Sequence, residues 1–128
     1  MKIEDFFNQQ NVIELSFFNF ENAITAAYFA RENLEIVRVN DNFRKFFPVL
    51  GNVSNAYFPD VLVQLGVSVE QVEQFVRDIN EKGWVLIPKV PINMDGKEKI
   101  YSLLSTRTRN DSFSYLNGVQ GQFVDRTE

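Results

Sequence analysis

The sequence predicts a single α+β domain that is closed by a three-stranded antiparallel meander. At 128 residues, with apolar side chains along its whole length, the chain has the size and composition of one globular domain. Residues 69–79 repeat apolar side chains at helical spacing, whereas the apolar period changes to two from Trp84 onward. The pair Asp95-Gly96 separates two of the later stretches and is a hairpin signal. Helices therefore pack on a sheet that the last part of the chain completes.

The residue inventory excludes several kinds of chemistry. The chain contains no cysteine and no histidine. It therefore lacks thiolate metal ligands, a cysteine nucleophile and the reactive thiol of cysteinyl–flavin photochemistry. It also lacks the usual haem and zinc ligand and the commonest general base. We expect no metal site and no histidine-ligated haem.

Charge and hydropathy bear on the binding partners and the location of the protein. A net charge of −4 argues against a surface that binds the phosphates of nucleic acid. No apolar run approaches the roughly 18 residues that span a bilayer. The first residues also lack the apolar segment of a secretory signal. We expect a cytoplasmic location.

An apolar stretch begins the chain. Residues 3–11 and a segment that ends at Ile24 predict two short helices, which are marginal unless they pack on something. We divide the chain into an N-terminal helical extension, 1–22, and a domain, 23–128. Two interpretations of the extension stay open: it folds back on its own sheet, or it forms a two-fold dimer contact. The candidate dimer residues are Phe6, Phe7, Phe17 and Phe18.

A hairpin and a short aromatic helix follow. Residues 25–30 and 34–39 read as strands around a turn. Asn40 or Asp41 then offers an N-cap for a helix that stops at Pro48. That helix carries three aromatic side chains on one side, namely Phe43, Phe46 and Phe47.

Two more helices precede the meander. Pro59 suits a first helical position, and the turn over 59–65 ends at Gly66. Ser68 with Gln71 forms a capping-box signature for the clearest helix of the chain, which ends at Gly83. Its apolar stripe, which we assign to core packing, consists of Val69, Val72, Phe75, Val76 and Ile79.

The meander begins with an edge strand. Residues 84–93 contain Pro88 and Pro91, which cannot donate to a ladder, so this strand belongs at the edge of the sheet. A turn at 94–97 leads into a strand over 98–108. There Tyr101 and Leu103 alternate with Ile100, Ser102 and Leu104. The last strand, 113–124, is interrupted by Gly118 and Gly121.

Several local features carry a resemblance to a known family. They are the strand end at 36–40 followed by Phe43, the Met94-Asp95-Gly96 hairpin, and the Gly-rich ending over 118–128 with Asp125-Arg126-Thr127-Glu128. Their order along the chain resembles that of PAS (Per-Arnt-Sim) domains. The resemblance implies a five-stranded antiparallel sheet in spatial order 2-1-5-4-3, with short helices on one face. Arg126 departs from the family's pattern, which has an aliphatic residue there.

The resemblance also implies a function. PAS domains are sensory modules of signalling proteins, often of bacterial two-component or cyclic-di-GMP systems. A signal would leave through Asp125, Arg126 and Thr127 into a C-terminal effector such as a histidine kinase, a diguanylate cyclase or a phosphodiesterase. We therefore expect the chain to be part of a larger signalling protein and to form a homodimer.

The resemblance places a small-molecule pocket between the helices and the sheet. Two alternatives stay open: the aromatic rings fill the interior, or they line a cavity for a small apolar ligand. Flavin held without a covalent bond would have Trp84, Asn40 and Asn117 as partners. We expect no cofactor. The pocket candidates are Phe43, Phe46, Phe47, Phe58, Leu62, Phe75, Tyr101, Leu103 and Tyr115.

An enzyme is the alternative interpretation. A small α+β cone of the ketosteroid-isomerase type would need a buried carboxylate near a tyrosine, such as Tyr101 or Tyr115. The candidate acids fall at caps and exposed helix positions, where solvation explains them. We expect no catalytic residue. Those acids are Asp41, Asp60 and Asp78.

Overall fold

The sheet and helices follow the predicted order. The computed structural model describes residues 25–109 and 117–126. The strands are β1 Ala26–Ala30, β2 Ile36–Val39, β3 Trp84–Met94, β4 Lys97–Thr108 and β5 Gly118–Asp125. The helices are α1 Asp41–Phe46, a 3₁₀ helix Pro48–Leu50, α2 Phe58–Gln64 and α3 Val69–Lys82.

The five strands form one antiparallel sheet in the order β2-β1-β5-β4-β3. This is the predicted order, and β3 with its two prolines lies at the predicted edge. At the opposite edge, an antiparallel bridge between Glu35 and Tyr57 joins the loop before α2 to the start of β2. The amide of Ile36 there donates to the carbonyl of Ala56 at 2.8 Å.

The predicted hairpin at Asp95-Gly96 is confirmed. Asp95 and Gly96 have φ angles of 53° and 80°, and Met94 faces Lys97 across the turn. Turns with two positive φ values match the twist of paired strands, and Asp-Gly adopts them readily. This turn therefore fixes the register of β3 against β4.

Helix ends agree with the capping residues of the sequence. The side chain of Asn40 caps α1, that of Ser68 caps α3, and Gly83 ends α3 in the left-handed conformation. The predicted helix over 59–65 begins and ends one residue earlier. Pro48 ends α1 as predicted, but it also starts the 3₁₀ helix, which the sequence analysis missed. A proline at the first position has its φ angle already set for a helical turn.

One face of the sheet holds the core. Directly opposed residues of neighbouring strands share a face, and Phe123 faces both Ala26 and Leu103. These three side chains are fully buried. The face that includes Ala27, Gln122, Leu104 and Leu86 in one row points away from this core. We call the face that holds the core the inner face and the opposite one the outer face.

Some predicted features lie outside the described residues. They are the extension 1–22, the boundary that separates it from the domain, and the first part of the predicted last strand, 113–116. Within the described part of the chain, no helix has both the length and the apolar composition that a membrane span requires.

Candidate functional site

Aromatic side chains from the helices and the sheet meet in one cluster on the inner face. Helical spacing places Phe43 and Phe47 on the same side of α1 and its C-cap, with ring centroids 5.2 Å apart. The Phe47 ring lies 5.4 Å from Tyr101 on β4 and 4.9 Å from Phe123 on β5. The ring of Phe46, which is half-buried, lies 5.7 Å from that of Tyr101. These edge-to-face and tilted contacts are the geometries that aromatic pairs prefer.

A second part of the cluster connects α2 and α3 to β1. The ring of Phe58 stacks on Tyr28 at 3.9 Å and contacts Phe75 of α3 at 5.1 Å. It also lies 6.2 Å from Phe123, which joins the two parts. The name aromatic cluster refers below to Tyr28, Phe43, Phe46, Phe47, Phe58, Phe75, Tyr101 and Phe123.

The structure brings the described pocket candidates together. Phe46 is half-buried, and the other seven are at most 2% exposed; Tyr115 lies outside the described residues. Sequence analysis missed Tyr28 and Phe123 as members. Phe123 carried a signal, because it has the same parity as Tyr115 in the predicted last strand.

A hydroxyl pair interrupts the apolar surface of the cluster. The Tyr28 hydroxyl and Ser105 Oγ are 2.5 Å apart, and both residues are fully buried. Burial raises the pKa of Tyr28 far above its ordinary value, and the bond to Ser105 only partly opposes this. Burial likewise raises the pKa of Tyr101, and the nearby carboxylate of Asp125 adds to the effect. Both phenols are therefore neutral at physiological pH.

The acids needed by the enzyme alternative lie elsewhere. Asp41 begins α1 and pairs with Arg44 at 2.7 Å, and Asp78 lies 3.8 Å from Lys82 on α3. Asp60 is exposed in the first turn of α2. Among residues 25–109 and 117–126, the buried polar side chains are those of Asn40, Ser102 and Ser105, so no carboxylate there is buried. That part of the chain also holds no group of three acidic residues arranged for a metal ion.

The proposed flavin partners are not brought together. Trp84 faces Thr106 on the outer face and is 49% exposed, so the sheet separates its ring from the aromatic cluster. Asn40 is occupied structurally: its Oδ1 accepts from the amides of Ala27 and Phe43, both at 2.9 Å. Asn117 precedes β5 and is half-buried.

The predicted exit segment, Asp125-Arg126-Thr127, begins at the end of β5, the middle strand of the sheet. Asp125, the last residue of β5, lies opposite Tyr101. The next residue, Arg126, donates its amide to the carbonyl of Ile100 at 2.7 Å and its Nε to Ser102 Oγ at 3.0 Å. Arg126 thus attaches to β4 through polar contacts. The PAS pattern described under Sequence analysis has an aliphatic side chain at this position. Thr127 lies outside the described residues.

The outer face carries exposed apolar side chains. Leu86 and Leu104 are directly opposed on β3 and β4, and Trp84 lies two residues before Leu86 on the same face. They are 48%, 39% and 49% exposed, respectively. These three residues form what we call the outer patch. Lys82 lies over the Trp84 ring at 5.5 Å from its centroid, so a positive charge borders the patch.

Comparison with known proteins finds similarity in structure. No family model and no curated protein matches the sequence. The PAS domain of Bordetella pertussis BvgS matches with a TM-score of 0.66 at 16% identity, over 94% of this chain and 89% of that one. A PAS domain from Colwellia psychrerythraea gives 0.63 at 10% identity, over 91% and 98%. The PAS domain of nitrogen regulation protein NR(II) from Vibrio parahaemolyticus gives 0.56 at 14% identity, over 87% and 97%.

Proposed function

We propose that this chain, whose fold is that of PAS domains, is the sensory module of a signal-transduction protein and passes its state to a C-terminal effector. The observation that carries the proposal is the position of the exit segment. It continues β5, which lies between β1 and β4 and bears Phe123 of the aromatic cluster. Similar structures include the PAS domain of a two-component sensor histidine kinase, which supports a kinase as the effector class.

The path from the cluster to the exit is short. Phe123 contacts Phe47, Phe58 and Tyr101, so a change in the packing of any of these rings acts directly on β5. Close-packed interiors respond to such a change by discrete shifts of side chains and elements and do not deform continuously. Asp125 follows Phe123 by two residues and therefore moves with it.

The test is a chimera in which residues 1–128 precede the catalytic region of a histidine kinase. We expect the domain to change autophosphorylation relative to the kinase region alone. Asp125→Ala should remove most of that difference, because it deletes the charge at the exit beside Tyr101.

A matched control keeps this test specific. Glu73→Ala removes an exposed carboxylate from α3, an element apart from the two strands that hold the exit, and should leave regulation unchanged. Both variants should unfold at nearly the wild-type urea concentration, since exposed substitutions usually change stability by about 0.5 kcal/mol or less. Equal regulation in the two variants would refute Asp125 as the exit residue. A wild-type chimera that matches the kinase region alone would refute the sensory function.

We propose further that the domain holds no resident cofactor and that the input is a change in packing or dimer state. The rings of the aromatic cluster contact one another, and the buried Tyr28 hydroxyl pairs with Ser105 Oγ. A small apolar ligand would have to displace these rings. The mass of the purified protein by native mass spectrometry should be a whole multiple of the chain mass found after denaturation. Mass beyond such a multiple that disappears on denaturation would contradict this proposal.

The partner that we propose is a second copy of the chain. The outer patch is apolar and exposed, and such surfaces are typical of interaction sites. The N-terminal stretch supplies further apolar side chains for the same contact, among them Phe6, Phe7, Phe17 and Phe18. A two-fold contact would place the two exit segments in one dimer, where an effector could respond to their relative position.

A further inference from the structure

A β-bulge interrupts the pairing of β3 with β4 near the exit segment. Ile87 faces Leu103 and Val90 faces Tyr101, so three steps along β3 correspond to two steps along β4. Ser102 consequently lies opposite the extra residue of the bulge at Pro88 and Lys89. A bulge leaves backbone groups without their ladder partners, and these groups then need other partners.

Side chains from two different elements satisfy the carbonyls of the bulge. Ser102 Oγ donates to the carbonyl of Pro88 at 2.8 Å. Gln71 Nε2 donates to the carbonyl of Lys89, also at 2.8 Å. Gln71 lies in the first turn of α3, and its amide donates to the Ser68 cap. The bulge is thus held by β4 on one side and by the N-terminal end of α3 on the other.

Ser102 also connects the bulge to the exit. Its single hydroxyl proton goes to Pro88, so its oxygen is left to accept the bond from Arg126 Nε at 3.0 Å. Ser102 is only 8% exposed, which limits competition from water for these bonds. The contacts form one series from Gln71 through the bulge and Ser102 to Arg126.

We propose that this series is a relay through which the position of α3 controls how firmly the exit segment is attached to β4. α3 carries Phe75, which packs on Phe58, so repacking of the aromatic cluster shifts the helix that holds Lys89. A shift of the bulge reorients Ser102, and Arg126 then loses its side-chain acceptor. The relay rests on the proposed function in one respect, namely that the signal leaves the domain after β5.

Amide hydrogen exchange of the full chain tests the relay without any effector. The reporter is the Arg126 amide, which is bonded to the Ile100 carbonyl. Ser102→Ala should lower its protection roughly three- to ten-fold, the range expected for one hydrogen bond of ordinary net strength. Ser102→Thr keeps the hydroxyl and should retain most of the protection.

The helix end of the relay has its own control. Gln71→Ala should lower protection of the Arg126 amide about two- to three-fold, which is the low end of the same range. Gln74→Ala removes the same side chain from the same helix and should have no effect. In the Ser102→Ala background, Gln71→Ala should add nothing further, because the connection is already broken.

The relay would be overturned by unchanged Arg126 protection in Ser102→Ala, by equal protection in the two glutamine variants, or by additive losses in the double variant. Exchange at Phe123 reports global opening, and a matching loss there would assign the effect to general destabilisation and refute a local relay. Because exchange needs no kinase, failure of the relay is distinct from failure of regulation in the chimera.

Discussion

Replacing Gly121 with alanine should destabilise the domain by about 3 kcal/mol or more. A methyl group at this position would collide with Ser105 Oγ and Tyr28 Cε1 and lie 2.7 Å from Tyr28 Cζ. Neighbouring side chains hinder movement of the Tyr28 ring away from the methyl group, because the ring is fully buried and stacks on Phe58 at 3.9 Å. Overpacking of a core costs roughly 1–3 kcal/mol, and loss of the buried bond between the hydroxyls costs about 1–3 kcal/mol more.

Urea unfolding measures this loss, and a neighbouring substitution provides the control. Gln120→Ala changes an exposed residue of the same strand and should alter stability by about 0.5 kcal/mol or less. Adding Tyr28→Val to Gly121→Ala removes the ring that the methyl group meets. The pair should therefore be less destabilising than the sum of the single changes. A loss below about 1 kcal/mol for Gly121→Ala would show that the ring can move aside.

The Gly121 contact illustrates what the sequence could and could not predict. Gly121 was expected only to interrupt the last strand. The identity of the side chains that cross it depends on the register of three strands, where Gly121 faces both Tyr28 and Ser105. Tyr28 is more than 90 residues away along the chain. Contacts of this kind depend on how the strands pair across the sheet. The residues next to Gly121 in the sequence therefore show no pattern that predicts them.

Some hydrogen bonds of the Asn40 side chain follow from the local sequence, and others depend on residues that are distant along the chain. Its bond to the Phe43 amide is an N-cap, which residue type and position predict. The same side chain accepts from the Ala27 amide and donates to the Thr25 carbonyl, both at 2.9 Å. These two bonds attach α1 to β1, and nothing in the residues around Asn40 signals them. The bulge at Pro88 and Lys89 is similar: the prolines predicted an edge strand, but the extra residue depends on pairing with β4.

The candidate site also combines residues that local sequence predicts with residues that depend on distant pairing. Apolar spacing predicted that Phe43, Phe47 and Phe75 face the core from their helices, and the resemblance to PAS domains placed them around a pocket. Phe123 has the parity of Tyr115 and could have been selected with it, whereas Tyr28 lies on a strand whose inner parity is fixed only once the sheet is assembled. The polar anchoring of Arg126 was missed for a related reason: Ser102 becomes its acceptor only through the pairing of β4 with β5.

A charge in the outer patch should convert the proposed dimer to a monomer. Leu104→Glu changes a residue that is 39% exposed in one copy, so the fold tolerates it. In a two-fold contact through this patch, the change would bury two carboxylates, one from each copy. Like charges placed together at an interface cost several kcal/mol, which corresponds to a dimer at least about 100-fold weaker.

Light scattering of the full chain distinguishes this contact from the alternative in which the N-terminal stretch folds back on its own sheet. The dimer predicts that wild type has twice the mass of Leu104→Glu, and that deletion of residues 1–17 gives the monomer as well. Val63→Glu is the matched control, because Val63 is an exposed apolar residue of α2 with 58% exposure, outside the outer patch. A stretch that folds back predicts that all four proteins have the mass of their own monomer. A dimer that survives Leu104→Glu would exclude the outer patch as its contact.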